Sequence, residues 1–264
     1  MRKEIGFRAA GLLIGLGFPA VTAAATVNPV SGAIHGAGRI FTAPARLESR
    51  DLLPLTALVG AGLTLYSLDG QIRHAFNGAG SRTLDDISTQ VEKLGNGGYD
   101  LGIIGAGWLT GKVLSDEKLA KTSLLAAESF LAANAVGTVI KATAGRARPY
   151  MNDGKSKFRT FSLKSDYASF PSGHTVSAFS VASVYAYCYS NTLAVGAAAY
   201  TLAGLVALQR VYADKHWASD VFFGAALGVS AGRMIAAEGS GLAAARLSPV
   251  FGPGYAGAEA NIRF

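Results

Sequence analysis

Apolar residues fall in long blocks along this chain, with no sustained alternation of apolar and polar positions, so the pattern predicts helices rather than strands. From Leu52 to Leu68 the sequence is apolar and uncharged, with Pro54 near the start, where a first helical turn tolerates it. Further apolar helical segments are predicted at 101–114, 122–141, 172–189, 192–209 and 217–237. A short helix is predicted over 83–94, inside a polar, glycine-rich stretch at 69–100. Ser190-Asn191 makes a tight turn, whereas 149–170 is a long polar loop. The expected fold is all-α, a bundle of about six main helices. Residues 26–51 read as an N-terminal arm, extended or a short amphipathic helix, and 248–264 as an irregular tail. No repeat or boundary divides 26–264, which reads as a single helical domain.

The first residues have a different pattern. Arg2, Lys3 and Arg8 give a basic start, an apolar run follows from Ala9 to Val21, and Ala23-Ala24-Ala25 supplies small residues for cleavage after Ala25. That order is a signal peptide over 1–25 and predicts export to the periplasm or cell envelope. The apolar run is short for a membrane-spanning helix.

Composition narrows the functional classes. A chain of 264 residues, half of them hydrophobic and 16% charged, is long and apolar enough for a sizeable core, which argues against disorder. One Cys excludes a disulfide framework, and with four His there is no Cys/His zinc cluster. Cys188, in an apolar segment, reads as a buried small hydrophobe. The formal charge of +7 asks for an anionic partner. An exported chain does not meet nucleic acid, which leaves a phosphate ester or a lipid surface. The charge is concentrated: between 141 and 166 stand seven basic residues and only Asp153 and Asp166 as acids. A mean hydropathy of +0.30 keeps a membrane in play.

Three clusters carry the chemistry. In Lys141-Ala-Thr-Ala-Gly-Arg146-Ala-Arg148-Pro149, Lys141 and Arg148 are two helical turns apart, and the proline ends the helix at Arg148. Phe170-Pro171-Ser172-Gly173-His174-Thr175 opens the next helix, where the backbone N–H groups of Ser172 and Gly173 suit an anion and His174 stands beside them. In Arg210-Val-Tyr212-Ala-Asp214-Lys215-His216-Trp217-Ala-Ser219-Asp220, His216 and Asp220 are four apart, as a carboxylate orienting an imidazole on one helix face would be. Each cluster alone has an ordinary structural reading: helix-end cations, a capped core histidine, a helical His–Asp pair. Together they supply what phosphoryl transfer without a metal needs: cations for the equatorial oxygens, a held nucleophile and a proton for the leaving oxygen. In an alternating bundle the helix ends that carry them share one end of the molecule.

Lys-x6-Arg-Pro at 141–149, Pro-Ser-Gly-His at 171–174 and Arg-x5-His-x3-Asp at 210–220 resemble the signature of the type 2 phosphatidic acid phosphatase and vanadium haloperoxidase superfamily, which includes bacterial class A acid phosphatases. The motifs stand in that family's order with family-like gaps, over about 80 residues. Gln209 departs from the pattern, since many members have Ser before the motif Arg. The resemblance implies an all-α fold and a phosphohistidine mechanism without metal or other cofactor. His216 would be the nucleophile, Asp220 would orient it, and His174 would protonate the leaving oxygen. Lys141, Arg148 and Arg210, with the Ser172 and Gly173 backbone, would hold the phosphoryl group. Arg146 falls off the motif and reads as a bystander or a lipid-facing charge.

The expected activity is hydrolysis of phosphate monoesters or pyrophosphates, on lipid phosphates such as phosphatidate or a polyprenyl pyrophosphate. The expected partners are that phosphorylated small-molecule or lipid substrate and a membrane surface. Two alternatives share the same residues: a vanadate-dependent haloperoxidase, and a non-catalytic anion- or lipid-binding envelope protein. Glu128 and Arg233 favour a peripheral protein, because charges inside a membrane are costly, whereas the uncharged 52–68 and 192–208 favour spanning helices.

Overall fold

The computed structural model describes residues 28–239, 244–252 and 255–263. The expected signal peptide at 1–25 lies outside them. Eight α-helices follow in order: α1 Pro29–Thr42, α2 Ser49–Gly78, α3 Arg82–Lys93, α4 Gly97–Val113, α5 Glu117–Ala144, α6 Gly173–Cys188, α7 Leu193–Tyr212 and α8 Ala218–Gly239. The all-α bundle expected from the sequence is what the chain forms. The arm at 26–51 contains α1, which packs on α5. The tail differs from expectation: Ala244–Gly252 (β1) and Tyr255–Arg263 (β2) pair as an antiparallel hairpin, Ala244 opposite Arg263 and Gly252 opposite Tyr255.

α6 is the centre of the bundle, in contact with α5, α7 and α8. Its partner α8 carries Gly224, Gly228 and Gly232 at four-residue spacing on the contact face. A Cβ at Gly224 would stand 2.9 Å from the Ser172 carbonyl oxygen, and one at Gly228 2.7 Å from that of Val176. Side chains there would push the helices apart, so the glycine ladder lets two backbones touch. That contact brings the start of α6 against the start of α8, and the Ser172 N–H donates to the Asp220 carbonyl at 3.1 Å.

α2 runs ten residues past Leu68, where the apolar block ends. Asp69 does not stop it, because the carboxylate is buried and paired within the bundle. By length and apolarity α2, α5, α7 and α8 are each able to cross a membrane. The most apolar stretch of α2 is only 6% buried within the protein, with Leu52, Leu53, Val59 and Leu63 on its outside. α4 is shorter and falls outside this set.

Candidate active site

α5 ends, α6 begins, α7 ends and α8 begins at one end of the bundle, as the alternation predicts, and the three clusters meet there. α5 closes on Gly145, whose left-handed backbone (φ 59°) ends the helix and turns the chain into the 146–170 loop. A Cβ at Gly145 would run into the Arg159 carbonyl. The loop is tied back by Ala147 N–H to the Lys157 carbonyl, Arg148 N–H to the Asp166 carbonyl and Ser169 N–H to the Arg146 carbonyl.

His216 lies in the bend before α8, and its ring is buried. Its Nδ1 is 2.7 Å from the Ser169 carbonyl oxygen. A carbonyl only accepts, so Nδ1 carries the proton, and the lone pair is on Nε2, which has no partner among the described residues. The sequence reading placed Asp220 directly on His216, on one helix face; the structure corrects both points. His216 precedes the helix, and the Asp220 carboxylate stands 3.9 Å from Nδ1, beyond hydrogen-bond distance. Asp220 acts on the segment around the ring. Its Oδ2 accepts from Ser169 Oγ at 2.5 Å and from the Trp217 N–H at 2.9 Å. It therefore fixes both the residue that holds Nδ1 and the residue after the histidine.

Arg146 is the second correction. Far from being a bystander or lipid-facing, it is 1% exposed and holds Asp220 from behind. Nη1 donates to Asp220 Oδ1 at 2.6 Å and to Ser219 Oγ at 2.8 Å, Nη2 to Asp69 Oδ2 at 2.8 Å and Nε to the Lys155 carbonyl at 3.0 Å. Asp69 also accepts from the Ser219 backbone N–H at 2.9 Å and from its hydroxyl at 2.6 Å. Tyr66, Phe158 and Trp217 present rings to the guanidinium. Trp217 is thus a packing residue, its indole N–H donating to the Ala147 carbonyl at 2.9 Å.

The cations expected to meet an anion are less occupied. Lys141 Nζ donates to the carbonyls of Ala168 at 2.9 Å and Pro171 at 2.7 Å, which leaves one N–H. Arg148 donates Nε to the Ser165 carbonyl at 3.0 Å, and its two terminal nitrogens have no partner among the described residues. Arg210 donates Nε to Gln209 Oε1 at 2.7 Å and Nη2 to Glu92 Oε1 at 2.8 Å. Gln209 in turn donates to Ser88 at 3.0 Å, so the residue that departs from the family pattern orients the arginine.

At the start of α6, the Ser172 N–H is engaged by the Asp220 carbonyl and is not available to an anion, contrary to the sequence expectation. The N–H groups of Gly173, His174 and Thr175 have no intrahelical acceptor, and no side chain caps them. Above Gly173 is open space where a Cβ would stand. His174 is half-buried beside them.

Electrostatics follow from this placement. Burial lowers the His216 pKa to about 4, with Asp220 opposing and Lys141 and Arg148 reinforcing. Burial also lowers His174 to about 4, reinforced by Arg210, His216 and Arg148 and opposed by Glu92. Both rings are neutral at neutral pH. His174, His216, Lys141, Arg148, Arg210 and Asp220 thus share one electrostatic environment. Glu92 is held low by its hydrogen bond to Arg210.

Sequence reasoning thus missed Asp69, Ser169, Glu92 and the role of Arg146. Asp69 had a signal, as the one acid in the apolar middle of α2. Ser169 acts mainly through a backbone carbonyl, which no residue type announces.

The chain is similar to several known proteins over the region that holds this site. A family model described as the PAP2 superfamily matches residues 122–237, which hold all eight site residues singled out from the sequence. A lipid A 1-phosphatase of Porphyromonas gingivalis is 31% identical over 198 residues, 72% of this chain; this chain spans 38% of that relative's length. Among solved structures, a transmembrane PAP2-type phosphatidylglycerolphosphate phosphatase from Bacillus subtilis superposes with a TM-score of 0.51 at 25% identity, over 68% of this chain and 92% of that one. Aquifex aeolicus LpxE is similar over 62% of this chain and 92% of its own, with a TM-score of 0.47 and 24% identity. With its three motifs assembled at one end of a helical bundle, this chain is similar to the PAP2 superfamily over residues 122–237.

Proposed function

We propose that the chain is a metal-independent phosphatase acting on lipid phosphates at the cell-envelope membrane, through a phosphohistidine intermediate. The observation that carries this reading is the state of His216: neutral, its proton held on Nδ1 by the Ser169 carbonyl, and its Nε2 lone pair free. The names of the relatives support a phosphorylated lipid substrate. The uncovered apolar length of α2 supports helices that span the membrane, with lipid covering what protein does not. The signal-peptide pattern at 1–25 supports an extracytoplasmic site.

In the first step Nε2 of His216 attacks phosphorus in line with the leaving oxygen. The P–N bond forms, the P–O bond to the lipid breaks, and His174 gives its proton to the departing alkoxide. Burial and nearby cations lower the His174 pKa in the free enzyme, and a bound phosphoryl dianion raises it by the same Coulomb logic, so substrate recruits its own acid. Lys141, Arg148, Arg210 and the free amides from Gly173 onward meet the equatorial oxygens. In the second step neutral His174 takes a proton from water, which attacks phosphorus. The P–N bond breaks, releasing inorganic phosphate and restoring His216. Phosphatidate and polyprenyl pyrophosphates both offer the terminal phosphoryl group that this sequence requires.

Rapid quenching of the enzyme with a 32P-labelled lipid phosphate tests the reading. Label is expected on His216, stable in base and lost in acid, and absent from His216→Ala, which releases no phosphate. Turnover close to wild type in that variant overturns the mechanism.

A further inference from the structure

One buried carboxylate has no function in the site described above. Asp100, in the first turns of α4, is 5% exposed, and its Oδ2 is the sole buried side-chain polar atom without a hydrogen-bond partner among the described residues. An orphan of this kind in a folded protein asks for a reason. It lines a cavity of about 290 Å³ whose other walls are almost wholly apolar. Ala178 and Ala182 of α6 form the floor, Ile103 of α4 one side and Leu202 of α7 the other. α4 and α7 each pack on α6, and the groove lies between them. Along α7 it runs from Val195 to Val206, ~16 Å at the helical rise. At its upper end stands Leu94, whose neighbour Gly95 packs directly against His174. The groove therefore begins beside the catalytic acid and runs away from it down the apolar flank of the bundle, with Asp100 near its upper end.

We propose that this groove holds one hydrocarbon chain of the substrate, and that Asp100 meets a hydroxyl or amide group carried on that chain close to the head group. This deepens the lipid-phosphatase reading and rests on it. An apolar trough next to the proton donor fits a chain attached to the leaving oxygen. A plain methylene chain would leave Asp100 as it stands, buried and unpaired. A hydroxyl or an amide both gives and takes a hydrogen bond, and so satisfies the carboxyl in either protonation state. A buried polar group of this sort discriminates strongly, because a substrate that lacks the matching group leaves it orphaned.

The test uses the full chain in detergent and three substrates: p-nitrophenyl phosphate, a lipid phosphate with plain acyl chains, and its analogue bearing a chain hydroxyl. In wild type the hydroxylated lipid is expected to exceed the plain one in kcat/KM by at least ~10-fold. Asp100→Leu collapses that preference to near unity, and Asp100→Asn, which still hydrogen-bonds, retains most of it. Ala199→Trp, whose ring fills the groove, lowers the ratio of lipid to p-nitrophenyl phosphate turnover by about tenfold or more. Ala198→Trp, the same bulk on the exposed face of α7, leaves that ratio as in wild type. Hydrolysis of lipids with no preference for the hydroxylated chain, or a ratio that Ala199→Trp does not move, overturns this inference and spares the phosphatase. Failure of wild type on every phosphate ester overturns the phosphatase reading itself.

Discussion

Behind and in front of the His216 ring the protein is built in opposite ways. Behind it, every buried side-chain nitrogen and oxygen has a partner: Ser169 holds Nδ1, Asp220 holds Ser169 and Trp217, Arg146 holds Asp220, and Asp69 holds Arg146, all within a few per cent of complete burial. In front of it, donors are left over: the terminal nitrogens of Arg148, one N–H of Lys141 and the first amides of α6. The rear is a finished polar network, which resists rearrangement because each broken bond leaves a buried group unpaired. The front has donors to spare, as the proposed anion site requires. Substitutions behind the ring should therefore act on folding as well as rate, and those in front on rate alone.

The largest effect is expected behind. Arg146→Leu leaves Asp69 and Asp220 facing each other without their shared cation, at a cost of about 3–5 kcal/mol in stability. Thermal unfolding should fall by many degrees, with activity lost alongside. A variant that melts like wild type would dissolve the contrast between the two sides. In front, Arg148→Ala removes two free donor nitrogens proposed to meet the transition state, and kcat is expected to fall about 10²–10³-fold. Its melting temperature should stay near that of wild type, because the side chain's one hydrogen bond among the described residues is to the Ser165 carbonyl.

A smaller effect follows from pH. His216 titrates at about 4 in the folded chain against 6.5 for a free ring. Between those values the unfolded chain binds a proton that the folded chain refuses, so stability is full above about 6.5 and falls as pH drops toward 4. The sign is fixed by the direction of the shift. Melting temperature measured from pH 7 to 4 should decline over that window, and less steeply in His216→Asn. The acid limb of kcat/KM that belongs to the nucleophile should lie near pH 4, not 6.5.

The same contrast explains what the sequence could show. The front of the site is written in residue types at fixed spacing, so Lys141, Arg148, His174, Arg210 and His216 were all legible, and the alternation of helices placed them at one end. The rear depends on contacts over long separations. Arg146 reaches Asp69 across 77 residues and Asp220 across 74, and no local pattern links them. Backbone groups were invisible for another reason. The Ser169 carbonyl that orients the His216 ring, and the Asp220 carbonyl that takes the Ser172 N–H, depend on chain position and not on side-chain identity. Helix ends were misread where a tertiary partner overrode local composition, as when α2 continued through Asp69.

Glu92 sits on the boundary between the two regions and gives the finest test. Its carboxylate is half-exposed and holds one nitrogen of the buried Arg210, a front-side cation, in place of a phosphate oxygen. An incoming phosphoryl group must either share that arginine or displace the carboxylate, and the two anions repel each other across it. Glu92→Gln removes the charge and keeps a hydrogen-bond acceptor for Arg210. The pair is open to solvent on the glutamate side, so the relief is modest, about 0.2–1 kcal/mol. That corresponds to a KM or inhibition constant for inorganic phosphate lower by roughly 1.4- to 5-fold, with little change in melting temperature. If Glu92 instead belongs with the rear network, as a residue that builds Arg210 into the fold, Glu92→Gln lowers the melting temperature and leaves phosphate affinity unchanged or weaker. Inhibition by phosphate and thermal unfolding, measured on the same preparation, decide which side of the ring this carboxylate serves.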